Sequence, residues 1–428
     1  MNYSEAIQFL YGLRWFGANL GLENTFKLAA LAGNPQERLR FIHVAGTNGK
    51  GSTCAMLESI YRAARLRVGL FTSPHLVAFG ERIQVDRRVI SEPDVVRLVE
   101  EIQPWLKTFP TSAHPTFFEV VTVMALRYFA EQNVDLVIWE TGLGGRLDAT
   151  NIVTPLASVI TNIQLDHEKW LGHTLAKIAA EKAGIIKAGI PVLTAADHPE
   201  ALRVISETAA RNQSILTEVK RADAEKPPLN KLRLPLLGEH QRLNAALALA
   251  TVRVLEDKIP VGEEAMRKGL ASVSWPGRLQ IVRSRTDRTI VLDGAHNPAG
   301  VRALRAAIEE LFPETLLTLV FGVMEDKNWQ AMCELLAPLA NRILLAPVSS
   351  DRSASPRAMS EFCQRLNVQA EIVVCASLAE ALSQADSDPL VLVTGSLHFV
   401  GEATEALRLS ACPAHNERGL NEWTLQTS

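Results

Sequence analysis

Between Phe41 and Leu57 the chain reads FIHVAGTNGKGSTCAML: an apolar run, a glycine-rich turn that carries a lysine, and residues able to start a helix. The glycines at 46, 49 and 51 allow a tight turn that brings several backbone N–H groups to one point. Ser52 and Thr53 can cap the helix that follows. The amino end of a helix favours an anion, and Lys50 adds a full positive charge at the same place. Thr47, Asn48, Gly49, Lys50, Gly51 and Ser52 therefore form a candidate phosphate cradle. The spacing departs from the general phosphate-loop pattern, Gly-x-x-x-x-Gly-Lys-Ser/Thr, because only Thr47 and Asn48 separate Gly46 from Gly49, and Gly51 stands between Lys50 and the hydroxyls. A plain strand-to-helix turn is the competing reading. The lysine, the two hydroxyls and the strand–turn–helix context together favour a nucleotide phosphate site.

A second set of polar residues falls at the ends of expected strands, where open α/β sheets place their ligands. Ser73, Glu140 and His167 offer a hydroxyl, a carboxylate and an imidazole, a set that can hold a divalent cation beside phosphates. Mg²⁺ takes few protein ligands, so a histidine would be an unusual member, and His167 on its own reads as a capping or core residue. Glu140 ends a run as apolar as Val-Asp-Leu-Val-Ile-Trp, and a charge there is harder to explain by packing. Lys182, judged by its neighbours alone, reads as a solvated helix lysine.

The elements that must position these groups follow from apolar runs and their period. Strands are expected at Phe41–Ala45, Arg67–Phe71, Val134–Trp139, Ala157–Asn162 and Ile190–Ala195, with a hairpin over 81–90. Helices are expected over 3–16 and 198–212, and at Thr25–Ala32, Glu92–Leu106, Thr116–Ala130, Leu175–Lys182 and Gly238–Leu255, with 220–235 irregular. Trp275-Pro276-Gly277-Arg278 breaks the pattern and is the expected domain boundary and hinge. Beyond it, strands at Thr289–Leu292, Leu316–Val323, Arg342–Ala346, Glu371–Val374 and Leu390–Thr394 alternate with helices, which argues a parallel sheet covered by helices. The expected organisation is α/β: a nucleotide-binding domain over 1–275 with a mostly parallel central sheet, a smaller α/β domain over 276–410, and a polar, frayed tail over 411–428.

Composition narrows the function classes. A chain of 428 residues is too long for one ordinary core. A net charge of −3, with Lys and Arg scattered, gives no argument for nucleic acid or a membrane surface. The five cysteines are widely spaced without a CxxC pair, which speaks against a disulfide framework or zinc site and for a reducing cytoplasm. No signal peptide is read at the N-terminus, and no apolar run is long enough to span a bilayer.

Ten segments in order, AGTNGKGS, FTSPHL, FFE, ETGLGGRLDATN, LDH, AAEKAGI, HQRLNAALA, PGR, DGAHNP and TGSLHFVGE, resemble the folylpolyglutamate synthase/dihydrofolate synthase family of the Mur ligase superfamily. The resemblance runs from about residue 17 to 402, nearly the whole chain. It implies a P-loop-type N-terminal domain and a Rossmann-like C-terminal domain with ATP between them. It implies that Thr47, Asn48, Gly49 and Lys50 hold the ATP phosphates and that Ser73, Glu140 and His167 correspond to the Mg²⁺ site. Lys182 matches a lysine that the family carbamylates to serve a second metal. Asn244, Arg278 and Asp293 match positions that contact ATP, and His296 lies close to the same site. Thr116, Phe117, Phe118 and Glu119, with Leu147, Asp148 and Ala149, match folate-contacting segments, although helix packing also accounts for the phenylalanines. Gly17, Ala18, Asn19 and Leu20 align with a loop that contacts dihydropteroate. The implied activity is ATP-dependent addition of L-glutamate to dihydropteroate and to the γ-carboxylate of folates, through an acyl phosphate. ATP and one or two Mg²⁺ ions are the expected cofactors, a monovalent cation is a further candidate, and a cytoplasmic monomer is the expected form. A cell-wall ligase shares the phosphate loop, but ETGLGGRLDATN and the short length favour folate. A nucleotide switch would need NKxD and DxxG elements, and neither occurs.

Overall fold

The computed structural model describes residues 1–16, 21–283, 288–366, 369–410 and 417–421. The expected pteroate loop, Gly17–Leu20, lies outside the described residues, as does Cys412. Eight strands build the first sheet: β1 (Phe41–Ala45), β2 (Val68–Phe71), β3 (Ile83–Val85), β4 (Arg88–Val89), β5 (Leu136–Glu140), β6 (Ala157–Ile160), β7 (Val192–Thr194) and β8 (Leu216–Glu218). Their order is β4-β3-β2-β5-β1-β6-β7-β8. The β2–β3 and β3–β4 pairs are antiparallel and the others parallel. Six strands build the second sheet: β9 (Gln280–Arg283), β10 (Thr289–Asp293), β11 (Leu317–Phe321), β12 (Arg342–Leu345), β13 (Glu371–Val374) and β14 (Leu390–Thr394). Their order is β13-β12-β11-β14-β10-β9, and β9 alone runs antiparallel.

β1 is buried at every position because it is the central parallel strand and is covered on both faces. One face packs on a cluster that includes Phe71, Phe129 and Trp139, and the other on a cluster that includes Met56, Leu57 and Leu247. The second sheet is covered in the same way by two further clusters.

Three findings depart from the expected organisation. The helix Glu263–Ala271 packs against the helix Lys50–Ala63. The edge strands β8 and β9 extend the two sheets. The polar end is not frayed throughout: Glu417–Asn421 forms a 3₁₀ turn in which Glu417, Arg418 and Leu420 are buried. Leu420 inserts into the core of the first sheet, and that apolar burial gives the turn a fixed place. No helix among the described residues is long and apolar enough to cross a membrane.

Candidate active site

The carboxyl ends of the parallel strands of both sheets open into one cleft of about 1020 Å³. Its lining includes Thr47, Asn48, Gly49, Lys50, Gly51, Ser52, Ser73, Glu140, His167, Lys182, Asn244, Arg278, Asp293 and His296. The structure therefore brings together every candidate phosphate, metal and ATP residue read from the sequence.

The phosphate loop is shaped by its neighbours. Gly49 is the N-cap of the helix Lys50–Ala63, with φ of 83°, and a Cβ there would stand 2.6 Å from Asn244 Oδ1, so only glycine fits. Asn244 is held by its Nδ2–H bond to Gln241 Oε1 at 3.1 Å, and Gln241 Nε2–H donates to Ser52 Oγ at 3.2 Å. Thr47 Oγ1 donates to Gln164 O at 3.1 Å. Asn48 N–H donates to Asn162 Oδ1 at 2.8 Å. On the far side the indole of Trp275 lies against Gly51. Arg87 stacks on that indole at 5.2 Å and donates to Ser274 O at 2.8 Å.

Charged groups in the cleft are held in states that burial dictates. Glu140 is buried at the end of β5, and dehydration raises its pKa to about 7 although Lys50 and the Ser73 N–H oppose the shift. Lys50 Nζ stands 4.0 Å from Glu140 Oε1. Lys182 is 4 % exposed rather than solvated; it donates to Gly46 O at 2.8 Å, and burial with Lys50 nearby lowers its pKa to about 7. Burial also lowers Arg278. Asp293 accepts the N–H groups of Leu279 and Ala295 at 2.8 and 2.9 Å, which fixes the turn into DGAHNP.

Ser73 Oγ is buried without a hydrogen-bond partner, and the Ser73 N–H donates to Glu140 Oε2 at 3.1 Å. Among the described residues there is no group of three or more His, Cys, Asp or Glu side chains able to hold a metal. An open hydroxyl beside one carboxylate instead suits an ion that takes few protein oxygens and completes its shell with phosphate and water, as Mg²⁺ does. His167 sits at φ 51° before the short helix Glu168–Leu171. Dehydration in the cleft, then Lys327, lower its pKa to about 3, although 43 % of the ring surface still faces the opening. A neutral imidazole can still act as a ligand.

Three residues in or beside the cleft carry no role in the sequence reading. Asp166 is a hub: Lys327 Nζ lies 2.8 Å from its Oδ1, Asn297 Nδ2–H donates to its Oδ2 at 3.0 Å, and His296 Nε2 is 3.5 Å from Oδ2. Burial pushes the Asp166 carboxyl up, but His296, Lys327 and His167 outweigh it and hold the group well below the usual carboxylate range. Asn297 also pairs amide to amide with Asn48, at 2.9 and 3.2 Å, and caps the helix Pro298–Leu311. Asn297 falls within DGAHNP and Asp166 within LDH, so both were findable; Lys327 carries no local signal.

The folate-side candidates do not line this cleft. Thr116 caps the helix Phe117–Glu131 in a reciprocal capping box with Glu119. Glu119 also accepts from Thr25 Oγ1 at 3.3 Å. Phe117 is in the core and Phe118 packs against Phe71 and Gly142. Asp148 accepts the N–H groups of Leu143 and Thr150 and the Thr150 hydroxyl, which shapes the loop after β5. Ala149 is buried and Leu147 half-buried beside it.

Comparison with known proteins gives two family matches: the Mur ligase middle domain over residues 44–252, and the Mur ligase glutamate ligase domain over 277–397. A Bacillus subtilis protein named dihydrofolate synthase/folylpolyglutamate synthase is 37% identical, over 95% of this chain and 99% of its own. An Escherichia coli structure in complex with DHPP and ADP superposes with a TM-score of 0.85 at 32% identity, covering 96% of this chain and 98% of that one. A Mycobacterium tuberculosis folylpolyglutamate synthase structure, complexed with ADP and AMPPCP, gives a TM-score of 0.82 at 30% identity, covering 90% and 95%.

Proposed function

Given that the chain belongs to the dihydrofolate synthase/folylpolyglutamate synthase family of Mur ligases, we propose how its own residues carry out the ligation. The protein is an ATP-dependent ligase that joins glutamate to folates. A carboxylate is a poor electrophile at neutral pH, and phosphorylation by ATP turns it into an acyl phosphate with a good leaving group. The substrate carboxylate attacks the γ-phosphate and ADP leaves as the bond to the bridging oxygen breaks, while Lys50 and the N–H groups of the phosphate loop stabilise the charge that develops. Glutamate's amine then attacks the acyl carbon, and the amide forms as phosphate leaves.

Ser73 and Glu140, with His167, would hold Mg²⁺, which supplies charge neutralisation between the phosphates. A second Mg²⁺ and a monovalent cation remain candidates in the same cleft. Lys182 is the carbamylation candidate: a carbamate forms from a neutral amine, and burial lowers its pKa to about 7. Asn244, Arg278 and Asp293 are the proposed contacts to the nucleotide. Thr116–Glu119 and Leu147–Ala149 build the folate-side wall. The amine must lose a proton before it attacks; His296 is the candidate base, with His167 the alternative if it does not hold the metal. Water would destroy the acyl phosphate, so closure of the two sheets over the cleft, hinged near Trp275–Arg278, protects it. The enzyme is proposed to act as a monomer in the reducing cytoplasm, on both dihydropteroate and folates, with no nucleic acid or membrane partner.

The observation that carries this reading is the convergence of both sheets' carboxyl ends on one phosphate loop, with Asn48 bonded directly to Asn297. Purified protein given Mg-ATP, glutamate and either dihydropteroate or a reduced folate is expected to release phosphate and form a glutamylated product with each acid. Product with folate alone would remove the dihydropteroate activity. Phosphate release that ignores both acids would overturn the mechanism.

A further inference from the structure

The loop after β2 carries Ser73, and its geometry depends on residues far away in sequence. His75 is buried two residues on. Its Nδ1 accepts the Arg82 Nε–H at 2.8 Å and its Nε2–H donates to the carbonyl of Glu417 at 3.0 Å, which fixes one neutral tautomer. Asn421 closes the arrangement from the same turn. Its Nδ2–H donates to the His75 carbonyl at 2.9 Å and its Oδ1 accepts from Arg82 Nη2 at 2.6 Å. Arg82 in turn stacks its guanidinium on Phe117 at 5.3 Å. The Glu417 carboxylate accepts the Phe79 N–H at 2.5 Å and the Tyr3 hydroxyl at 3.1 Å.

The same turn reaches the second sheet. Arg418 pairs with Glu405 on the helix Leu397–Ala406. That helix crosses the Ser73 loop so closely that a Cβ on Gly401 would stand 2.1 Å from Leu76 O. Leu420 meanwhile sits in the core of the first sheet. The turn Glu417–Asn421 thus touches both sheets' layers, the Ser73 loop and the support of Phe117.

We propose that this turn is a positioning element for the ligation, with Asn421 as its key residue: through His75 it sets Ser73, and through Arg82 it sets Phe117. The metal-side loop and the start of the folate-side helix then share one anchor. The proposal rests on the reading that Ser73 serves Mg-ATP and Phe117 the folate wall. It adds a residue that touches neither substrate but governs the placement of both.

Asn421→Ala removes both limbs at once. It is expected to raise KM for folate and the Mg²⁺ concentration needed for half-maximal rate, each by roughly tenfold, as small misplacements of a reacting site do. Asn421→Asp keeps an acceptor for Arg82 but loses the donor to His75. It is expected to restore the folate KM and leave the Mg²⁺ requirement raised. A merely structural turn would lower Tm and leave both constants at wild-type values, and that outcome in either variant overturns the proposal. Should Asn421→Ala fail to fold, the split between the two constants in Asn421→Asp decides alone. Failure of the ligase reading itself would show in the wild type, as no glutamate-dependent turnover. In that event calorimetric titration of Mg-ADP still tests the Ser73 limb: unchanged affinity in Asn421→Asp overturns it.

Discussion

The mouths of β1, β2 and β5 and the start of the helix Phe117–Glu131 lie on the same side of one sheet, yet their polar groups are in opposite conditions. At the strand mouths, groups are left open. Ser73 Oγ has no partner, Glu140 is dehydrated, and Lys182 has one carbonyl for its ammonium. At the helix start, groups are fully engaged with one another. Glu119 takes the Thr116 N–H, the Thr116 hydroxyl and Thr25, and Asp148 holds the loop after β5. Open buried polar groups cost stability unless a ligand completes them, whereas engaged ones stabilise the scaffold. The first region is therefore built to meet charge, and the second to hold a shape against which an apolar ring can lie.

The sharpest way to break this contrast is Lys50→Ala. Its Nζ has only a 3.5 Å contact to Thr47 O and the 4.0 Å approach to Glu140 to lose. Turnover should fall by roughly 10²–10³-fold while Tm stays put; glutamate-dependent phosphate release measures the first and thermal unfolding the second. Glu140→Gln comes next, with ligation down by roughly 10²-fold and a changed pH profile of stability. Burial raises the Glu140 pKa from 4.5 to about 7, so in that window the folded protein keeps a proton that the unfolded chain has released. Stability of the nucleotide-free protein therefore declines as pH rises from 4.5 to 7. The glutamine variant should flatten that decline; an unaltered slope in thermal unfolding would mean Glu140 is not dehydrated.

Lys327→Ala tests the hub that joins the two sheets. Asp166 keeps His296 and Asn297 but loses its ammonium, so the loss should be about 1–3 kcal/mol, seen as weaker nucleotide binding by calorimetry. The smallest effect belongs to the engaged region. Thr116→Ala should cost about 1 kcal/mol of stability through the lost cap and, because that cap starts the folate-side wall, raise the folate KM modestly while kcat holds. A fall in turnover at unchanged Tm would place Thr116 among the ligand-facing groups and dissolve the contrast.

Sequence reading reached the central strands well because they are short apolar runs closed by turn residues: β1 and β14 fall where the pattern puts them, as does the edge strand β13. The edge strands β8 and β9 escaped it, since half-burial at the sheet margin leaves Leu216–Glu218 and Gln280–Arg283 without a continuous apolar run. Glu417–Asn421 looks like a polar tail because its fixed place comes from partners more than 300 positions away, as for Tyr3 and Phe79. The candidate site was legible wherever a motif gathers its own chemistry, as in the phosphate loop and DGAHNP. It was not legible for Lys327, whose partner Asp166 is 161 positions away; Lys182 was legible through the family resemblance alone, because its burial depends on how its helix packs beneath Gly46.

The indole of Trp275 rests on Gly51 under the guanidinium of Arg87. That contact gives the protein an optical probe at its most sensitive point. Phosphates entering the loop alter the field around the indole, so its emission should change in intensity or wavelength without any added label. Subtracting the signal of Trp275→Phe isolates this one chromophore from the other six. Stopped-flow recording of the difference would then time nucleotide entry directly, ahead of any chemistry.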